Sequence, residues 1–273
     1  KLPIPDEGTL RIVSNAFNTN TDIALEGAGG EDDCPVAKIV IEEGEEVIPQ
    51  TVLHLDATQS YAPFGAIQSY LWTVDQPAGS QEVLVPSATD PTPIFQANVV
   101  GLYTFTLRVR DQAGNWECKP DVYNVLVQPD QAIHVELTWD TPLDEDQTDS
   151  GPFAGTDLDL HFAHPNASGP DLDGNGVPDP WFDKDWDSFW YVPNPNWGSF
   201  DPLADDDPSL DRDDTDGAGP ENLNIGIPEE NIAYHIGVHY WDDRDLGETT
   251  AMVKVYTYAT LIYEGCAGGT EET

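Results

Sequence analysis

Basic residues are what this chain most lacks. It carries 10 Lys and Arg against 51 Asp and Glu in 273 residues, a formal net charge of −41. Phosphate contacts need Lys and Arg, so nucleic acid is excluded as a partner. Anionic membranes are disfavoured on the same ground. No apolar run reaches the roughly 18 residues of a membrane-spanning helix, so direct membrane insertion is not expected. The opening residues, KLPIPDEG, show no basic region followed by an apolar run; no signal peptide is visible, and the chain is expected to be a processed or excised piece. Cysteine is scarce as well. Cys34, Cys118 and Cys266 form no C-x-x-C pair, which argues against a zinc cluster. Cys34 and Cys118 flank a strand-rich segment and are read as a disulfide joining its ends, which implies an oxidising compartment. Cys266 lies in the Gly-rich tail EGCAGGTEET, either as a free thiol or as the partner of a cysteine outside this sequence. A nucleophile elbow of the G-x-S-x-G type is also missing, so Ser199, His235 and Asp243 do not make a convincing triad. His235 and His239 are spaced for one strand face but lack a third zinc ligand. Paired carboxylates of the glycosidase kind arise by chance among so many Asp. The chain is not expected to be an enzyme.

What is present is apolar material in short pieces. Hydrophobic residues make up 39% of the chain, with eight Trp, and 23 Pro and 23 Gly are scattered between them. That is the composition of many short strands joined by turns. Tyr103, Phe105, Leu107 and Val109 alternate with polar residues, the period-2 pattern of a half-buried strand. The fold class expected is all-β: tandem antiparallel, immunoglobulin-like β-sandwiches preceded by a partial hairpin. The expected divisions are residues 1–30, a partial hairpin and linker; 31–130, a first sandwich; 131–265, a second sandwich with a long Asp- and Trp-rich insertion; and 266–273, a tail.

Three resemblances accompany this reading. LHLDATQSYAPFGAIQSYLWTV followed by GLYTFTLRVRDQAGN resembles the polycystic-kidney-disease (PKD) type of domain. The resemblance implies that Trp72 is the core tryptophan and that Asp56 and Asp111 order turns at strand ends. It also implies a spacer or adhesion module on a secreted protein. APFG stands where the family often has DPDG, which weakens any calcium site in that loop. In the last unit, LTWDTP, GTDLDLHF, DSFWYVPNPNWG, SLDRDDTDGAGPENL and YHIGVHYW resemble a bacterial β-sandwich of secreted and envelope proteins, and more distantly the calcium-binding sandwiches at the C-termini of secreted peptidases. GTLRIVSN and LEGAGG resemble the closing strands of abnormal-spindle/hydin immunoglobulin-like domains. The missing strands of that domain would lie upstream or come from a neighbouring molecule.

The acid is concentrated. Between Asp157 and Asp216 there are sixteen Asp, no Glu, and only Lys184 and Arg212 as bases. DLDGNGVPD places Asp171, Asp173 and Asn175 at alternate positions, Gly176 at the sharp turn, Val177 to offer its carbonyl, and Asp179 beyond. This is the D-x-[DN]-x-[DN]-G calcium-loop pattern. Phe182 stands where an EF-hand has Glu, and nearby prolines forbid long flanking helices, so an isolated loop is expected, with Asp183 as the stand-in carboxylate. Oxygen donors alone favour calcium. Asp157 and Asp159 alternate on one strand and aim at one place. With Asp211, Asp213, Asp214, Asp216, Glu221 and Asn222 they form a second candidate calcium site, which would staple the insertion to the sheet. Both sets can instead be solvated or turn-capping carboxylates.

Trp186, Trp190, Trp197 and Trp241 are candidate glycan-stacking residues. The alternative is that Trp supplies the insertion with its own core. The function expected is a non-catalytic, calcium-stabilised module of a bacterial secreted or cell-surface protein with an adhesive or structural role. Other surface or matrix proteins, or the protein itself, would be its partners. A carbohydrate-binding module of a larger secreted enzyme, or a filament subunit using the N-terminal hairpin, are the other readings.

Overall fold

The computed structural model describes residues 6–12, 21–27, 33–149, 154–199, 201, 203–215 and 217–269, with the backbone alone for 6–12, 21–27 and 267–269. Strands β1 (Asp6–Ile12) and β2 (Thr21–Gly27) pair antiparallel and form a two-stranded sheet of their own.

The first sandwich follows. Its strands are β3 (Val40–Ile41), β4 (Glu46–Val47), β5 (Thr51–Asp56), β6 (Ile67–Asp75), β7 (Ile94–Ala97), β8 (Gly101–Asp111) and β9 (Asp121–Val127). One sheet runs β3-β5-β7 and the facing sheet β4-β9-β8-β6. The expected alternation is realised in β8, where Tyr103, Phe105, Leu107 and Val109 are fully buried. They pack with Leu53, Leu55, Phe95 and Trp72. Trp72 donates its indole N–H to the Asp90 carbonyl at 2.9 Å, so its one polar atom is satisfied inside the core. Asp56 accepts from the Thr58 amide, and Asp111 accepts twice from Asn115, so both order turns at strand ends. Cys34 and Cys118 are bonded. The purely antiparallel expectation needs one correction: β4 runs parallel to β9, pairing Glu46 with Leu126 and Val47 with Val127. A two-residue strand at the sheet margin carries too little pattern to reveal its direction.

The second sandwich contains β10 (Ile133–Asp140), β11 (Asp157–Ala163), β12 (Asp187–Ser188), β13 (Ser209–Arg212), β14 (Glu221–Ile225), β15 (His235–Asp242), β16 (Thr249–Thr257) and β17 (Thr260–Gly269). A five-stranded sheet, β13-β14-β10-β16-β17, faces a three-stranded one, β12-β11-β15. Val135, Leu137, Leu158, Leu160, Phe162 and Leu223 fill the space between. No α-helix occurs among the described residues, and none is long and apolar enough to cross a membrane.

Strand β10 is buried along almost its whole length, polar residues included. Its inner residues meet the second core. Its outer residues His134, Glu136 and Thr138 are covered from the other side, in part by the first sandwich. The Val100 amide donates to Glu136 at 2.7 Å, Lys254 on β16 donates to the Ala78 carbonyl, and Asn222 on β14 donates to the Asn98 carbonyl. Gly79 sits where the two sandwiches touch. Its φ is +94°, and a Cβ there would come within 2.8 Å of the Thr138 hydroxyl, so both conformation and space demand glycine.

Candidate metal centre and its aromatic rim

Strand β11 carries Leu158, Leu160 and Phe162 into the core, and alternation sends Asp157, Asp159 and His161 to the opposite face. That face is also covered, because the insertion wraps the edge of β11. Strand β12 pairs with Phe162 and Ala163. Phe182 and Phe189 pack on the His161 ring at 4.6 and 5.1 Å. On the core side, Trp197 stacks against Phe162 and Tyr234.

Carboxylate oxygens of Asp159, Asp213 and Glu221 lie within 4.8 Å of one another. That span fits one calcium ion ligated at about 2.3–2.6 Å. The three come from β11, from the segment after β13, and from the start of β14. Glu221 is fully buried and accepts from the Leu160 amide at 2.6 Å and the Asp214 amide at 3.2 Å. His239 Nδ1 lies 3.2 Å from Asp159 Oδ2. Asp157 adjoins the cluster: burial, then the negative charge of Asp159, push its carboxyl up to about 6. Arg244, 3.7 Å away, offsets only part of this. Asp157 Oδ1 is buried with no hydrogen-bond partner. Burial followed by Asp159 also raises Asp213, and burial holds Glu221 well above the carboxylate range. The site is therefore one in which negative charge is concentrated, desolvated and undercompensated. A divalent cation bound by oxygen would compensate that charge and favour the ionised forms.

The remaining members of the expected second site separate. Asp214 pairs with Arg212 at 3.1 Å. Asp211 is the extra residue of an irregularity between β13 and β14, and it bonds Ser209 and Asn224. Asn222 points to the first sandwich rather than to Glu221, because neighbours on a strand face opposite ways. Asp216 lies outside the described residues.

The loop 171–179 closes on itself, with the Gly169 amide on the Asp179 carbonyl and the Asp179 amide on the Pro170 carbonyl. Oxygens of Asp171, Asp173 and Asp179 converge within 4.8 Å. They also accept backbone amides: Asp171 from Asn175 and Gly176, Asp173 from Asn175, and Asp179 from Leu172. Asn175 accepts from the Val177 amide. Gly176 has φ +84° at the turn the pattern predicts. Asp183 is occupied elsewhere, accepting from the Ser168 and Asp185 amides. A third group, Glu42, Glu43 and His54, was not read from the sequence. His54 satisfies Glu43 there through both its ring and its backbone amide, at 2.7 and 2.8 Å.

The aromatic candidates divide. Trp197 is only 2% exposed, and Trp186 packs on the second core. Trp197 therefore presents no face to a ligand, which corrects the sequence expectation for that residue, while Trp186 is half-buried against the core. Trp190 and Trp241 are 37% and 50% exposed and meet edge to face at 5.5 Å. Their proximity has a cause invisible in the sequence. β15 opposes Asp157 with Asp242 and Leu158 with Tyr240, so Trp241 is the bulged residue between them. Such bulges re-aim side chains. Trp190, Trp241 and Thr215 line a cleft of about 240 Å³ together with Asp157, Asp159 and Asp213.

Comparison with curated proteins found no match. Among solved structures, the chain is similar to the PKD domain of the KIAA 1837 protein, with 26% identity, 37% of this chain and 91% of that chain covered, and TM-score 0.29. It is also similar to a structure described by the promiscuous specificity of carbohydrate-binding modules from the β-sandwich superfamily, at 14% identity, 86% and 100% coverage, and TM-score 0.31. A third is native alpha-2-macroglobulin of Escherichia coli from domain MG7 to the C-terminus, at 13% identity, 51% and 25% coverage, and TM-score 0.27. The family model described as K319L-like, PKD domain, matches residues 45–127, and the first sandwich is of the PKD type.

Proposed function

We propose that this chain is a non-catalytic, calcium-stabilised β-sandwich module of a secreted or cell-surface protein, with an adhesive or structural role. The observation that carries the metal reading is the orphaned, buried Asp157 oxygen beside the converging carboxylates of Asp159, Asp213 and Glu221. Calcium suits an all-oxygen donor set of this span better than softer metals. The ion would join β11, β14 and the segment after β13. The loop 171–179 is a second, more exposed calcium candidate, whose carboxylates retain lone pairs beyond those used by amides. The PKD-type first sandwich fits a surface or structural module. Polar contacts across the two sandwiches favour a fixed relative orientation, which suits a spacer. A thermal melt with calcium and with excess EDTA, paired with metal analysis of the purified protein, tests the reading. Stability lost in EDTA and restored by calcium but not magnesium is expected. No bound metal and no shift in melting temperature would sink it.

A further inference from the structure

We propose that the cleft lined by Asp157, Asp159 and Asp213 is a cation-dependent site for a neutral sugar ring bearing adjacent hydroxyls. This rests on the calcium reading above and adds a ligand to it.

Trp190 and Trp241 form one wall and Asp157, Asp159 and Asp213 the floor. A pyranose has just these two aspects: an apolar face of C–H groups that packs on an aromatic ring, and hydroxyls that ligate a hard cation as water does. An ion held from below by the carboxylates would leave coordination positions directed into the cleft. Asp157 Oδ1, in a side chain more than nine-tenths buried, has no protein partner. It can ligate the ion or accept a sugar hydroxyl. Trp241 reaches the cleft only through the bulge opposite Asp157 and Leu158, so the local irregularity of β15 builds the wall. The ring of His239, beside Asp159, packs on Trp241 at 5.7 Å, which ties the wall to the floor.

Charge decides the sugar class. Apart from Arg244 and His239, the charged groups that face the site are carboxylates, so the field over the cleft is negative. The whole chain carries −41. Uronic and sialic acids are therefore repelled, and a neutral hexose or deoxyhexose is selected.

The test is binding of the full chain to an array of neutral glycans in millimolar calcium and in EDTA, with melts run on the same samples. Wild type should bind in calcium and lose binding in EDTA. Trp190→Ala and Trp241→Ala should each weaken binding about tenfold while keeping the calcium-dependent shift in melting temperature. Asp159→Asn should lose both the shift and the binding. A protein that shows the calcium shift yet binds no neutral glycan overturns the sugar site and leaves the metal reading standing. The same holds if binding is equal in EDTA, or if the Trp190→Ala/Trp241→Ala double variant binds as wild type. A protein that takes up no calcium overturns both.

Discussion

Glu136 and Lys254 stand directly opposite each other on β10 and β16 and pair at 3.2 Å, both buried beneath the first sandwich. Glu136 accepts the Val100 amide on its other oxygen, and Lys254 donates to the Ala78 carbonyl. Burial pushes the Glu136 carboxyl up, and Lys254 is the main group opposing that shift. Removing one partner of such a pair costs about 3–5 kcal/mol, while removing both charges together is far milder. Lys254→Met should therefore lose stability in that range by urea unfolding. Glu136→Gln combined with Lys254→Met should recover most of it. Equal losses in the single and double variants would show that the pair does not hold the junction.

The same reasoning gives the carboxylate cluster beside β11 a pH signature. Asp157, Asp213 and Glu221 all have raised folded-state pKa values, Asp157 at about 6. Unfolded, they titrate near the ordinary carboxylate range. In EDTA the native state therefore holds more protons than the unfolded chain in this window, and its stability falls as pH rises through about 6. Bound calcium favours the ionised forms and removes the penalty. The difference in melting temperature between calcium and EDTA should widen from pH 5 to pH 7.5. His134, which burial holds low, contributes equally to both conditions and cancels in the difference. A difference independent of pH would place the ion elsewhere.

The Cys34–Cys118 bridge spans 84 residues and joins the start of the first sandwich to the segment between β8 and β9. On the chain-entropy account a loop of that size contributes about 4–5 kcal/mol. Reduction, or the Cys34→Ser/Cys118→Ser variant, should lower the denaturation midpoint of the first sandwich accordingly. An unchanged midpoint would mean that these two segments are held by strand pairing and packing alone.

Legibility followed the strength of local pattern. The β8 alternation, the core position of Trp72, and the turn roles of Asp56 and Asp111 were all readable, because each is set within a few residues of chain. Asp157 and Asp159 were read as facing together, since strand period alone decides that. Their third and fourth partners were not separable. Asp213 and Glu221 converge, while Asp211 is the extra residue of the irregularity between β13 and β14 and Asn222 lies on the other face of β14. The bulge that brings Trp241 to Trp190 leaves no mark in composition. Nor does sequence show that Glu136 and Lys254, 118 positions apart, share a strand register.

The exposed loop should behave differently from the buried cluster. Asp171, Asp173 and Asp179 already hold the turn through backbone amides. Asp171→Asn with Asp173→Asn should therefore remove a weaker phase of calcium titration and shift melting little. Asp159→Asn or Glu221→Gln should remove the stronger phase and most of the stabilisation. A single phase lost only with Asp171 and Asp173 would reverse the assignment of the two sites.

Two tryptophans on one insertion provide the sharpest contrast. Trp197 is buried against Phe162 and Tyr234, and its indole N–H donates to the Asp185 carbonyl at 3.0 Å. Its truncation leaves a large cavity and an unpaired carbonyl, worth about 3–5 kcal/mol. Trp190, at the rim, is truncated into solvent and should cost about 1 kcal/mol or less. Urea unfolding of Trp197→Ala and Trp190→Ala, each with calcium bound, measures the two directly. If Trp197→Ala is as stable as wild type, the insertion does not depend on that core, and the metal alone must hold it to β11. If Trp190→Ala is the more damaging, its ring is structural, and the wall of the cleft is a packing surface rather than a place for a ligand.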